Sequence, residues 1–174
     1  IATSTFSCHR QFLRQLLLII SLSFSFVVQV VAETSVNAEP VAQQNLLLVG
    51  DSISAAYGMS LREGWANLLQ QRLDSQGTHW QVVNASISGE TSAGAAHRLP
   101  ALLEQHAPGI VIIELGGNDG LRGYPIKQLR ANLQQMIQQS QAMGAQVILV
   151  GMEIPPNYGA RYTQMFRDAF VRVA

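Results

Sequence analysis

Leu46-Leu47-Leu48-Val49-Gly50-Asp51-Ser52-Ile53-Ser54 is an apolar run that stops at a glycine and passes directly to an acid and a serine. The run has the length and composition of a strand buried on both faces, as parallel strands are. A sharp turn at Gly50-Asp51-Ser52, with a helical pattern soon after it, places Ser52 at the carboxyl edge of a first strand. Open α/β sheets gather their ligands at that edge. Ser and Asp are also favoured helix-capping residues, so this segment alone fits a simple cap equally well.

Two later segments repeat the arrangement. Asn84-Ala85-Ser86-Ile87-Ser88-Gly89-Glu90-Thr91 follows the strand-like Trp80-Gln81-Val82-Val83, and Gly116-Gly117-Asn118-Asp119 follows Ile110-Val111-Ile112-Ile113-Glu114-Leu115. In a parallel sheet all three ends converge. They supply a hydroxyl nucleophile (Ser52), a glycine whose bare backbone N–H can approach a ligand (Gly89) and a carboxamide donor (Asn118). A nucleophile beside two neutral donors suits acyl transfer, because the donors stabilise the oxyanion of a tetrahedral intermediate. Asp51 reads as a turn residue that orders the loop, since adjacent residues rarely have the geometry of a nucleophile and its acid. Asp119 reads as the cap of the following helix. Glu114, on an otherwise apolar strand, would be an expensive buried charge unless paired; Arg122 and Arg98 are its candidate partners.

Between these blocks the periodicity alternates. Trp65, Leu68, Leu69 and Leu73 recur at helical spacing as far as Gly77, and Thr91 to His106 carries Leu99, Leu102 and Leu103, with Pro100 marking a break or restart. Ile126, Leu129, Leu133, Met136, Ile137 and Met143 form one apolar stripe among glutamines, ended by Gly144, before a fourth strand over 145–150. A Pro/Gly/Asn loop over 152–161 returns to the carboxyl edge, and a further helix starts near Tyr162. Met152, Ile154, Pro155, Pro156 and Tyr158 in that loop fit either plain loop packing or one wall of an acyl-chain site. The alternation predicts an α/β fold, a three-layer α/β/α arrangement around a parallel sheet with right-handed crossovers. The natural strand order is the flavodoxin-like 2-1-3-4-5.

The segments GDSIS, NASISGETS and GGND, in this order and spacing, resemble the first three blocks of the SGNH (GDSL-like) hydrolases. The stretches NASISGETSAG, RLPALLEQH, ELGGNDGLRG and PPNYGARY resemble the branch of bacterial periplasmic thioesterase I, also described as protease I and lysophospholipase, and of related arylesterases. The resemblance runs from about Asn45 to the last residue and implies the same strand order. It implies that Ser52 is the nucleophile and lends its backbone N–H to the oxyanion hole, with Gly89 giving a second N–H and Asn118 a side-chain N–H.

That family takes its base and orienting acid from a late Asp-x-x-His, and this chain contains no such string. Three residues after Asp51, Asp74, Asp119 and Asp168 come Ser54, Gly77, Arg122 and Val171. His9 belongs to the N-terminal targeting segment, and His79 precedes the second strand and so falls at the amino edge of the sheet. His97 lies about 9 Å down its helix at 1.5 Å per residue, and His106 closes that helix, where a cation suits the dipole. Catalytic Asp and His are thus expected to be absent. The chain starts at Ile1 and stops inside a helical pattern, so the fifth strand, the Asp-x-x-His loop and the last helix are expected beyond this sequence.

The 174 residues allow one domain of ordinary size. Residues 1–32 read as a secretory signal peptide: Arg10 and Arg14, an apolar stretch from Leu16 to Val31, then Val30-Val31-Ala32 before a cut, with a second possible cut after Val36-Asn37-Ala38. The stretch is short for a membrane span and broken by hydroxyls, which favours a cleaved signal over an anchor. Residues 33–44 are a leader segment and 45–174 the hydrolase domain. Cys8 is the only cysteine, so disulfides play no part in an exported, periplasmic chain. No cofactor or metal is expected, because no metal-ligand cluster, G-x-G-x-x-G or P-loop occurs. Lys and Arg total 11, as do Asp and Glu, and there is no basic run to bind nucleic acid. The expectation is a secreted monomeric serine hydrolase acting on a small-molecule acyl ester or thioester through an acyl-enzyme. A carbohydrate O-deacetylase of the same architecture and a non-catalytic binding module are the rival readings.

Overall fold

The computed structural model describes residues 43–174. Four strands form one sheet: β1 (Gln44–Gly50), β2 (Trp80–Asn84), β3 (Ile110–Glu114) and β4 (Gln146–Leu149). All neighbours are parallel and the order is β2-β1-β3-β4, as expected for the first four strands. The expected signal peptide lies outside the described residues, as does nearly all of the leader, whose last residue Gln44 already pairs with Trp80. No fifth strand occurs among the described residues.

Because side chains alternate across a strand, the apolar runs fill both faces of the sheet. Leu47, Val49, Val111 and Ile113 bury one face against α2 (Ser92–His106), α4 (Ile126–Ala142) and α5 (Ala160–Val171), which contribute Leu99, Leu103, Leu129, Leu133, Met136, Phe166 and Phe170. Leu46, Leu48 and Ile112 bury the other face against Trp65, Ala66 and Leu69 of α1 (Trp65–Ser75). Each fully buried Leu or Phe here is worth about 1.5–3 kcal/mol relative to exposure, so the two-sided burial, more than helix propensity, holds the helices in place. A short helix, α3 (Gly117–Leu121), follows β3 directly.

Three expectations are corrected. Pro100 does not break its helix: α2 runs unbroken from Ser92 to His106 with the proline inside it. Pro100 is on the exposed side while Leu99 and Leu103 are buried, so the anchored apolar face offsets a penalty of about 3 kcal/mol. Leu68 and Met143, placed on apolar stripes by spacing, are exposed; the last helix starts at Ala160, near Tyr162 as expected. No helix among the described residues is long and apolar enough to cross a membrane.

Candidate active site

Parallel pairing brings the carboxyl ends of β1, β2 and β3 side by side, with Gly50 opposite Glu114 and Leu48 opposite Asn84. The loops that leave these ends are then laced together. Ala85 N–H donates to the Leu48 carbonyl at 2.9 Å and Ile87 N–H to the Gly50 carbonyl at 3.1 Å, which lays the second loop along the first.

The turn that carries Ser52 is built locally. Ala55 N–H donates to the Asp51 carbonyl at 2.9 Å and Tyr57 N–H to the Ser52 carbonyl at 3.0 Å. Ala56 takes a left-handed φ of 57° and is almost fully buried, a strain of about 1–2 kcal/mol for a residue with a Cβ. Asp51 is buried; its Oδ1 accepts from Ile53 N–H at 3.0 Å and its Oδ2 from Asn118 Nδ2 at 3.1 Å. Asp51 is therefore the loop-ordering residue its position suggested, and it also joins the first block to the third. Ser52 is half-buried, and its hydroxyl has no protein hydrogen-bond partner among the described residues.

Gly89 occupies the third position of a turn closed by Glu90 N–H donating to the Ile87 carbonyl at 3.0 Å, with φ at +80°. A type II turn demands positive φ there, which glycine adopts without a Cβ penalty. Among the described residues the Gly89 N–H has no protein acceptor, and its carbonyl accepts from Arg122 Nη2 at 3.1 Å. Asn118, on α3, donates both side-chain hydrogens, one to Asp51 Oδ2 and one to the Glu90 carbonyl at 3.0 Å. One carboxamide thus pins the second block to the first.

Two neighbouring carboxylates behave differently from expectation. Asp119 caps not the helix after it but the N-terminus of α2: its oxygens accept from Ser92 N–H at 2.9 Å and Ser92 Oγ at 2.6 Å. Being inside α3 and buried, it faces the start of α2, whose first amides have no acceptor within the helix, and it shares the capping with Thr91, whose hydroxyl accepts from Gly94 N–H at 3.3 Å. Glu114 pairs with neither Arg98 nor Arg122. Arg98 is held by Glu90 at 2.7 Å and Arg122 reaches the Gly89 carbonyl. Glu114 instead accepts from Ser54 Oγ at 2.6 Å and more weakly from Asp51 N–H at 3.4 Å. Burial, with the nearby Asp51 charge, pushes its carboxyl above the ordinary carboxylate range although the Ser54 bond pulls the other way. The Ser54 contact was missed in the sequence, where only the serine two positions after Ser52 hinted at it.

In the loop after β4 the packing reading prevails for Ile154, which is buried in the main core, while Tyr158 caps the α3 end through its hydroxyl on the Leu121 carbonyl at 3.1 Å. Among the described residues no group of three His, Cys, Asp or Glu side chains could hold a metal ion.

Residues 48–174 match the GDSL-like lipase/acylhydrolase family. The chain belongs to that family. It is similar to the esterase TesA of Pseudomonas aeruginosa, with 54% identity over 136 residues, 78% of this chain and 68% of that protein. The thioesterase 1/protease 1/lysophospholipase L1 of Escherichia coli K12 is 45% identical over 133 residues, 76% of this chain and 62% of that protein. A crystal structure of the psychrotrophic esterase EstA from Pseudoalteromonas, inhibited by monoethylphosphonate, superposes with a TM-score of 0.72 at 50% identity, covering 75% of this chain and 71% of that one. The matched segment thus spans between three fifths and three quarters of these relatives. As a member of a GDSL-like hydrolase family the protein is a hydrolase, with relatives that cleave esters.

The described histidines stand away from this family's site. The His79 carbonyl accepts from Gln44 N–H at 2.9 Å, at the start of β1 and hence the amino edge. His97 is exposed on α2, and His106 ends that helix, its carbonyl bound by Asn45 Nδ2 at 2.7 Å beside the same amino edge.

Proposed function

We propose that the protein cleaves acyl esters and thioesters by nucleophilic catalysis, with Ser52 attacking the carbonyl and forming an acyl-enzyme. The observation that carries this reading is the lacing of the three carboxyl-edge loops by Asn118, which leaves the Ser52 hydroxyl and the Gly89 N–H unpartnered at the same edge. The Ser52 and Gly89 N–H groups and the Asn118 amide hold the oxyanion. Asn118 must exchange one of its two present bonds to do so. A full oxyanion is a stronger acceptor than a backbone carbonyl, so turning the amide from Glu90 to the intermediate is favourable as charge develops. The proton goes to the Asp-x-x-His pair that the family supplies. The similar EstA structure is of an esterase inhibited by monoethylphosphonate, which is in keeping with this reading.

The gene read past Ala174 through an Asp-x-x-His provides the test. Its product should hydrolyse p-nitrophenyl acetate and acyl-CoA, and Ser52→Ala should abolish both. An immediate stop codon, or turnover indifferent to Ser52, would overturn the reading and favour a non-catalytic module.

The Arg10/Arg14 and Leu16–Val31 pattern supports export to the periplasm. Expressed with its own N-terminus in a bacterium, the protein should be recovered from the periplasm, shortened after Ala32 or Ala38. An intact N-terminus on membrane-bound material would establish the anchor instead.

A further inference from the structure

Beneath the nucleophile turn lies a buried polar cluster that the proposed chemistry leaves unused. Glu114, the last residue of β3, is 4% exposed and sits directly opposite Gly50 in the β1–β3 register. Its Oε2 accepts from Ser54 Oγ at 2.6 Å and, at 3.4 Å, from Asp51 N–H, the amide that precedes the nucleophile. Ser54 Oγ in turn accepts from the Trp65 indole N–H at 3.2 Å, so the chain runs from α1 through the turn to β3. Asn84 Nδ2 holds the same serine's carbonyl at 2.8 Å from the end of β2. The bare Cα of Gly50 makes room for this: a Cβ there would stand 2.7 Å from Ser54 Cβ and 2.8 Å from Glu114 Oε2. Nothing in ester hydrolysis consumes these bonds, yet they grip the turn on both sides of Ser52.

We propose that Glu114 is a positioning residue for the nucleophile: through Ser54 and the Asp51 amide it fixes the turn that aims the Ser52 hydroxyl and its backbone N–H at the substrate carbonyl. Asp51 and Glu114 divide the work. Asp51 ties the turn upward to Ile53 and Asn118, and Glu114 ties it down to the sheet and α1. Among the described residues the charge that acts on Glu114 is that of Asp51 in the turn. Two carboxylates this close disfavour ionisation together. Burial acts in the same direction and raises its carboxyl above the ordinary range, and the role the geometry gives it is to accept hydrogen bonds from Ser54 and the Asp51 amide. Glutamine offers the same acceptor at the same reach; alanine offers none.

The inference rests on Ser52 being the nucleophile, and the experiment separates the two. In the full-length gene product, Glu114→Ala should lower kcat for p-nitrophenyl acetate by about tenfold or more, the scale of effect expected when a reacting group is misplaced by a fraction of an ångström to an ångström. KM should stay within about threefold, since Glu114 lies below the surface that binds substrate. Glu114→Gln should recover kcat to within about threefold of the natural chain, and Ser54→Ala should fall between. In parallel, the Trp65 indole N–H resonance should keep its shift in Glu114→Gln and move in Glu114→Ala and Ser54→Ala. A folded Glu114→Ala protein with unchanged kcat would overturn the proposal, as would a glutamine variant as impaired as the alanine one. If the natural chain and Ser52→Ala are equally inactive, the proposed function falls. An indole signal that ignores Glu114→Ala would then remove the positioning chain as well, and one that moves with it would leave the mechanical link standing.

Discussion

Residues 33–174 alone should hydrolyse neither p-nitrophenyl acetate nor acyl-CoA above background, and should not react with a fluorophosphonate probe. A serine hydroxyl is a weak nucleophile until a base takes its proton, and removing the base of such a unit costs about 10⁶ in kcat where it has been measured. No Asp-x-x-His occurs in the chain. The described histidines cannot replace it: His79 and His106 are tied by their carbonyls to Gln44 and Asn45 at the amino edge, and His97 is exposed on α2. Ser52 lies at the opposite edge, beyond Gly50. Extending the chain through an Asp-x-x-His segment should raise turnover by several orders of magnitude and restore probe labelling at Ser52. The measurement is a side-by-side rate and gel-labelling assay of the two proteins. Robust turnover by the shorter one that vanishes with Ser52→Ala would make one of His79, His97 or His106 the base, and the placement of those groups would be wrong.

Asn118→Ala in the extended protein should lower kcat by about 10²–10³, the usual consequence of losing one oxyanion donor, with little change in KM. The structure adds a second consequence. Both Asn118 hydrogens are used, on Asp51 Oδ2 and the Glu90 carbonyl, so the substitution also removes the tie between the first and second blocks. Asp51 Oδ2 would be left buried without its donor, and a buried acceptor deprived of its partner costs about 1–3 kcal/mol. Thermal unfolding should therefore fall together with kcat, whereas a pure catalytic donor would leave stability unchanged. Steady-state kinetics at a temperature well below unfolding distinguishes the two effects. Unchanged kcat in a folded variant would remove Asn118 from the oxyanion hole.

Much of this protein is legible from local sequence because its signals are local. Leu46–Val49, Val111–Ile113 and the Gly50-Asp51-Ser52 turn carry their own periodicity and turn chemistry, and parallel strands separated by helices admit few arrangements. The order β2-β1-β3-β4 and the meeting of Ser52, Gly89 and Asn118 loops at one edge follow from that. The sequence also determined the chemistry on offer at that edge: serine and threonine hydroxyls, two neutral donor types and no metal-ligand pattern.

What tertiary structure decided were the partners of groups whose needs are plain in sequence but whose neighbours are distant along the chain. Glu114 on an apolar strand had to be satisfied, and arginines looked suitable by charge. Strand pairing instead sets it opposite Gly50, where the missing Cβ admits Ser54 at 2.6 Å, while Arg98 is taken by Glu90. Asp119 had to cap a helix, and its own was nearest in sequence, yet α3 faces it toward the Ser92 amide at the start of α2. Pro100 should have ended a helix, but Leu99 and Leu103 are fully buried and hold both sides of it to the core. In each case local preference is worth at most a few kcal/mol, and long-range packing, which only the folded chain contains, outweighs it.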